Sequence, residues 1–247
     1  MQMNPLQNDK AMSFRKGLRS GLIIGSGYLS VSFSFGIMAV NSGLTWWQAV
    51  LISILCLTSA GQVAGVGIMA SGGGLIEMAV SQLIINMRYS LMAISLSQKT
   101  DKSMNLPARI ISSYIITDEI FGVASLEESV GINFMMGLGI LPVAGWTLGT
   151  LLGAIVGNIL PAVVTASLAI GIYGMFVAIV LPVCRQSRTV MIICIRAVVL
   201  AVVFRYVPFL YAHVSSGFAI IICAVVSALI GVFITPESEL KKEEADG

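Results

Sequence analysis

The chain has 247 residues, 57% of them hydrophobic and only 11% charged, with a net charge of +2 and a mean hydropathy of +0.94. Soluble domains carry about 25% charged residues, so this composition excludes an ordinary soluble globule and indicates an all-α polytopic membrane protein. The fourteen Lys and Arg residues are scattered at segment ends rather than gathered on one face, which argues against a nucleic-acid partner.

A span needs about 20 apolar residues. Candidate segments run over 18–40, 47–70, 75–97, 109–126, 133–160, 163–183, 189–207 and 217–235, room for about six to eight transmembrane helices. The expected organisation is one integral membrane domain over 1–247, with short soluble tails at 1–15 and 236–247 too small for a core. Arg15, Lys16 and Arg19 precede the first segment. The apolar run Leu22 to Val40 exceeds the roughly 7–15 residues of a signal-peptide core, so it is expected to be a retained membrane helix.

The second segment opens at Trp46-Trp47, which suits interfacial anchoring. Its centre reads Thr58-Ser59-Ala60-Gly61-Gln62, followed by Gly65, Gly67 and Gly72-Gly73-Gly74. Glycine disfavours helix, and broken backbone is tolerated at depth where it lines a protein cavity. Gln62 suits either a substrate or backbone satisfaction. The third segment carries Glu77, Gln82, Asn86, Arg88 and Tyr89, of which Gln82, Asn86 and Tyr89 share a helical face. Glu77 and Arg88 lie about 16 Å apart along a helix, so Arg88 requires another partner, Asp118 or Glu119.

The fourth segment holds that pair within Thr117-Asp118-Glu119. An acidic side chain at a helix centre costs about 2.5–3.5 kcal/mol. Three readings stand: a buried ion pair that fixes helix register, a site for substrate or a coupling proton, or acids at a wet surface. Adjacent Asp118 and Glu119 point in different directions and suit different partners. Tyr114, one turn earlier, is placed to hydrogen-bond Asp118.

In the fifth segment Gly149, Gly153 and Gly157 are spaced for close helix packing, and Trp146 suits an interface or a deeper position. Arg196 and Arg205 are near enough to segment ends to snorkel. Cys56, Cys184, Cys194 and Cys223 form no CxxC pair and read as small core residues. His213, the only histidine, reads as an interfacial loop residue, so neither a metal nor another cofactor is expected.

Orientation poses a conflict. Basic residues mark the cytoplasmic side, yet single crossings would put Lys99, Lys102 and Arg109 opposite Arg15, Lys16 and Arg19. A re-entrant second segment, with a second such element around 133–160 among Pro142 and its glycines, removes the conflict. One crossing exception to the rule is the alternative. Ser34 to Met38 faintly echoes Ala169 to Tyr173, a weak inverted repeat of the kind common in transporters.

The order Ser59-Ala60-Gly61-Gln62, Asn86-Met87-Arg88-Tyr89 and Thr117-Asp118-Glu119-Ile120-Phe121 resembles the AzlC family, over roughly residues 15 to 125. That family supplies the large subunit of bacterial branched-chain amino acid exporters. Two departures stand out: Gly171-Ile172-Tyr173 lacks the acid of the family's Gly-Leu-Asp element, and Leu91-Met92 stands where Leu-Tyr is usual. The resemblance implies a multi-pass protein of the bacterial cytoplasmic (inner) membrane. It implies a small hydrophobic AzlD-type partner, and export of valine, leucine, isoleucine or methionine driven by an ion gradient, here taken as protons. In that setting Gln62, Asn86, Arg88, Tyr89, Asp118 and Glu119 are the substrate and coupling candidates. Gly61, Gly65, Gly149, Gly153 and Gly157 are the helix-break and packing candidates. The chain has no GxxxxGK[ST] loop, which excludes a P-loop motor. Asp118 is the only aspartate in a span, which argues against an aspartyl protease and against an enzyme. A passive channel for small polar solutes and a non-transporting assembly subunit remain as alternatives.

Overall fold

The structure is a computed structural model that describes residues 5–157 and 159–234. These are helical, with one isolated bridge between Thr100 and Val130. In chain order the helices are α1 (Pro5–Asn41), α2 (Trp46–Leu55), α3 (Ala60–Ala70), α4 (Leu75–Ser97), α5 (Leu106–Ile115) and α6 (Asp118–Ser125). There follow α7 (Ile132–Val156), α8 (Ala162–Ala169), α9 (Gly171–Gln186), α10 (Arg188–Tyr206), α11 (Pro208–His213) and α12 (Ser216–Ile234). Two compact units emerge: Met1–Val66 with Ile85–Ile172, and Gly67–Ile84 with Tyr173–Gly247.

The first unit is organised around α1 and α7, which pack backbone to backbone. A Cβ added at Gly36 would lie 2.2 Å from the Thr150 carbonyl oxygen, and one at Gly153 would lie 2.0 Å from that of Phe33. The contacts advance together, from Phe14 with Gly137 through Gly25 with Gly145 to Phe33 with Gly153, so the two helices run parallel. Lipid tails are as apolar as leucine, so association here depends on van der Waals fit, which small residues permit. Pro142 removes the N–H that would serve the Leu138 carbonyl, and that oxygen packs instead against Gly21. The glycines and proline of 133–160 therefore serve a seam along a continuous α7, and the second re-entrant element expected there is not found. Gly157 closes the seam against Ile37.

Both breaks in the unit are re-entrant hairpins. Gln62 donates from Nε2 to the Ser53 hydroxyl at 3.3 Å. In a straight helix residues nine apart are about 13 Å apart, so α3 doubles back beside α2. Thr45 and Gln48 form a capping box that starts α2, and Ser59 turns the tip at φ +38°, a conformation non-glycine residues rarely hold. Gly61 and Gly65 are buried on the returning helix.

The second hairpin is α5–α6. Asn105 caps α5 by accepting the Ala108 N–H at 3.0 Å. The chain breaks at Ile116-Thr117, and α6 returns. Its exit lies beside the entry, since Val130 donates to the Lys99 carbonyl at 2.8 Å and Asp101 to the Val130 carbonyl at 3.0 Å. Lys99 Nζ also reaches the Ser125 carbonyl at 2.6 Å. Ile115, Ile116, Ile120 and Ala124 bury the hairpin against Phe134, Met135 and Leu138 of α7. An ion pair of 2.6 Å between Lys16 and Glu127 ties this end to the start of α1.

The hairpins thus enter the first unit from opposite ends. Arg15, Lys16, Arg19, Lys99, Lys102 and Arg109 all fall at one end, which removes the orientation conflict. The second non-crossing element is 106–125, not 133–160. Sequence hydropathy missed it because α5 and α6 together have the length of one span.

In the second unit Glu77 is only 5% exposed. It accepts the Ser215 hydroxyl and the Gly217 N–H at 2.9 Å, so it caps the positive end of α12. A cleft of about 1290 Å³ lies beside it, bounded by the 70–74 turn, Phe204, Arg205 and Tyr211. The Arg205 guanidinium stacks 4.9 Å from the Tyr211 ring centre. Arg196 departs from the snorkelling expectation: its Nη1 is buried, with no hydrogen-bond partner among the described residues.

The seam predicts a contrast. Gly153→Val should lower the melting temperature of the purified protein by an amount corresponding to about 1–3 kcal/mol or more. Gly27→Val, where nothing lies within 4 Å of the added Cβ, should leave it near wild type. Equal melting curves would contradict the seam.

Candidate functional site

The two hairpin tips meet at the middle of the first unit. Tyr114, at the end of α5, donates to the Ile54 carbonyl at the end of α2. The last carbonyls of a helix lack intrahelical donors, and at a break inside a membrane water cannot supply them. That demand takes the Tyr114 hydroxyl, which therefore does not bond Asp118 as the sequence suggested. Leu57 of the first tip packs with Tyr28 of α1 and Trp146 of α7. The Tyr28 and Trp146 rings meet edge to face at 5.2 Å. Trp146 is 2% exposed, so it is a wall of this site and not an interfacial anchor.

The second tip supplies the charges. Thr117 caps α6, accepting the Ile120 N–H at 3.4 Å, so Asp118 and Glu119 occupy the first turn. There the positive end of the helix favours carboxylates. Arg88 Nη1 meets Asp118 Oδ2 at 2.7 Å, with side chains 41% and 29% exposed. Its Nη2 donates to the Tyr89 hydroxyl at 3.2 Å, and the guanidinium lies 5.0 Å from the Tyr89 ring centre. Glu119 has a different partner. The Tyr28 hydroxyl lies 2.6 Å from Thr117 Oγ1 and also hydrogen-bonds Glu119 Oε2.

Of the sequence candidates, Arg88, Tyr89 and Asp118 are brought into one cluster, and Glu119 adjoins it through the α6 first turn. Asn86 is half-buried on α4, two residues before Arg88. Gln62 is 2% exposed and joins a buried polar chain, with Ser53 in turn 2.7 Å from the Thr150 hydroxyl. Gly149 and Gly153 belong to the α1–α7 seam.

Sequence reasoning missed Tyr28, Trp146, Ser53 and Thr150. Tyr28 was visible as the one tyrosine among the serines and glycines of α1, but its partner lies ninety residues away in the chain. Three buried polar atoms here have no protein partner among the described residues: Trp146 Nε1, Arg88 Nε and Gln62 Oε1. A buried donor or acceptor left unpaired costs about 1–3 kcal/mol, which a polar guest would offset. The charged cluster and its aromatic wall thus offer both charges and two free donors, while the free Gln62 acceptor belongs to the Ser53–Thr150 chain.

A double-mutant cycle on Arg88→Ala and Asp118→Ala should show the pair acting as one unit. Each single change should lower thermal stability, and the double change should cost less than their sum. The coupling expected for a half-exposed pair is about 1 kcal/mol. Strict additivity would mean that the two do not interact.

Comparison with known proteins finds membrane-protein relatives. A family model described as AzlC protein matches residues 24–160. An uncharacterized membrane protein of Archaeoglobus fulgidus is 30% identical over 175 residues, covering 70% of this chain and 77% of that protein. The inner membrane protein YgaZ of Escherichia coli K12 is 24% identical over 230 residues, 90% of this chain and 91% of its own. An uncharacterized membrane protein of Helicobacter pylori J99 is 24% identical over 156 residues, 61% of this chain and 67% of that protein. No solved structure matches the chain. The matched span runs from Ile24 on α1 past the end of α7 and takes in both hairpins and the whole charged cluster, and the chain belongs to the AzlC family.

Proposed function

We propose that the chain is the large subunit of a secondary transporter that exports branched-chain amino acids, and methionine, in exchange for protons across the bacterial inner membrane. The observation that carries this reading is the charged cluster at the tip of a re-entrant hairpin, walled by Tyr28, Trp146 and Leu57. Membership of the AzlC family supports a membrane transport role, and the resemblance in its arginine and acidic motifs supports the amino acid class.

The chemistry of a zwitterion with an apolar side chain matches what the site offers. Its carboxylate pairs with Arg88 and the unpartnered Trp146 Nε1–H. Its ammonium pairs with Asp118 or Glu119, and its aliphatic group lies against the aromatic wall. Broken helices with polar groups at their ends are a recurring way to hold such ligands at the bilayer midplane. The two opposed hairpins give the site one approach from each side. The end that gathers Arg15, Lys16, Arg19, Lys99, Lys102 and Arg109 faces the cytoplasm by the positive-inside bias. The exposed, largely apolar α10 leaves room for lipid or for the small AzlD-type subunit. In this reading the chain needs no cofactor and catalyses no covalent step.

Release of labelled leucine, valine and methionine from membrane vesicles tests the reading, with and without the small subunit and with and without a proton gradient. Gradient-dependent release is expected. Its absence, with the protein inserted and the partner present, would favour a channel or an assembly role. Asp118→Asn should abolish release while membrane insertion is retained; normal release by that variant would remove Asp118 from the mechanism. Lys102→Cys should react with impermeant thiol reagents only from the cytoplasmic side. Labelling from the outside would reverse the orientation.

A further inference from the structure

Asp118 and Glu119 are neighbours in sequence, yet their surroundings differ in a way that separates their roles. Asp118 is held by Arg88 at 2.7 Å. A guanidinium stays protonated in proteins, so a proton added to Asp118 would leave Arg88 without its counter-charge at membrane depth, an expensive arrangement. Among the described residues Glu119 pairs with no cation. Its hydrogen-bond partner is the Tyr28 hydroxyl, which also lies 2.6 Å from Thr117 Oγ1.

A phenol has one proton and can also accept. It can therefore donate to Thr117 or to Glu119 at any moment, and its other contact must then be one that it accepts. A carboxylate can only accept, whereas a protonated carboxyl can donate. We infer that Glu119 is the residue that carries the coupling proton, and that the Thr117–Tyr28–Glu119 hydrogen-bond chain reverses direction when it does. This rests on the transport reading above.

The proton balance is simple. With Glu119 ionised, Thr117 donates to Tyr28 and Tyr28 donates to Glu119. When one proton from the aqueous phase adds to Glu119, the carboxyl donates to Tyr28, and Tyr28 turns its own proton to Thr117 Oγ1. No covalent O–H bond breaks within the chain; the hydroxyls only rotate. Loss of the proton on the other side restores the first state. Thr117 Oγ1 also caps α6 through the Ile120 N–H, so reversal at Tyr28 acts directly on the hairpin tip and on α1. Both charge states of Glu119 keep a hydrogen-bonded partner, which lowers the cost of alternating between them in a site shielded from water.

The charged and titratable neighbours are few. From α4 they are Arg88 and Tyr89, with Tyr89 within electrostatic reach of Glu119. On α6 itself the neighbour is Asp118; α5, the other arm of the hairpin, brings Tyr114 to the tip, bonded to the Ile54 carbonyl, and carries Arg109 at its far end on the Met104 carbonyl. Beyond Arg19, α1 contributes only Tyr28, and α7 has no titratable side chain. The α2–α3 hairpin has Cys56 alone, in its tip. Among the described residues no cation other than Arg88, already paired with Asp118, competes for Glu119.

Two readouts test the assignment on the full chain. The first is infrared titration of the purified protein, which reports the carbonyl stretch of a protonated carboxyl without requiring transport. A pH-dependent band should be present in wild type and lost in Glu119→Gln. It should be shifted in frequency in Tyr28→Phe, which keeps the ring against Trp146 but removes the hydroxyl. If no carboxyl band is lost in Glu119→Gln, or if the band lost there is unmoved by Tyr28→Phe, the assignment is overturned. The second is labelled-leucine release from vesicles with the small subunit, expressed as the ratio of rates with and without a proton gradient. That ratio should fall to one in Glu119→Gln; an unchanged ratio also overturns the assignment. A wild-type ratio of one would instead sink the transport reading, and the infrared band would still decide whether Glu119 takes the proton.

Discussion

The close approach of α1 and α7 is the constraint on which the rest of the first unit depends. Their backbones meet where Gly36 faces the Thr150 carbonyl and Gly153 that of Phe33. No side chain fits between them. Fixing these two helices in parallel sets the register of everything they present: Tyr28 on one, Trp146 and Thr150 on the other. Each hairpin then docks on that pair. The first is fixed by Ser53 on Thr150, and the second by its apolar face on Phe134, Met135 and Leu138. The parallel arrangement also has a topological consequence. With α1 and α7 parallel, the elements between them must make an even number of reversals, and two re-entrant hairpins satisfy that count while keeping the basic residues together.

Breaking a helix at depth exposes backbone polar groups that lipid cannot satisfy. Here each break is served by the other elements of the site. Tyr114 answers the Ile54 carbonyl, and Thr117 answers the Ile120 N–H. The side chains that repair the breaks are therefore the ones that surround the charges. Structural repair and ligand chemistry share a single location, so substitutions at the tips are expected to affect both. The Arg88–Asp118 pair fits two of the three readings that the sequence left open. It fixes α6 against α4, and it presents charge to the same space.

The second unit shows how an acid in an apolar segment can be structural. Glu77 accepts the Ser215 hydroxyl and the Gly217 N–H, so its charge is spent on a helix end. Glu119, by contrast, is met by a side-chain hydroxyl that can serve either protonation state. Hydropathy treats these two glutamates alike; their partners distinguish them.

The sequence by itself determined the class and most of the segment positions, because the requirement for about 20 apolar residues per span is local. It also pointed to the first helix break, which falls just before Ala60 at Thr58-Ser59, whereas Gly61, Gly65 and Gly67 lie within α3. The need for a partner at Arg88 was legible too, because an unpaired guanidinium at depth is costly wherever it sits. The break at Ile116-Thr117 was hidden: α5 and α6 add up to one span in length, and only the return of Ser125 to Lys99 reveals the reversal. The glycines of 133–160 were ambiguous for a related reason, since a glycine-rich stretch suits both a broken helix and a close-packed one, and the presence of α1 decides between them. The same holds for Tyr28. Its hydroxyl acquires a role only when α1 is laid against the α6 first turn, a contact between residues ninety positions apart that no local pattern encodes and only tertiary packing creates.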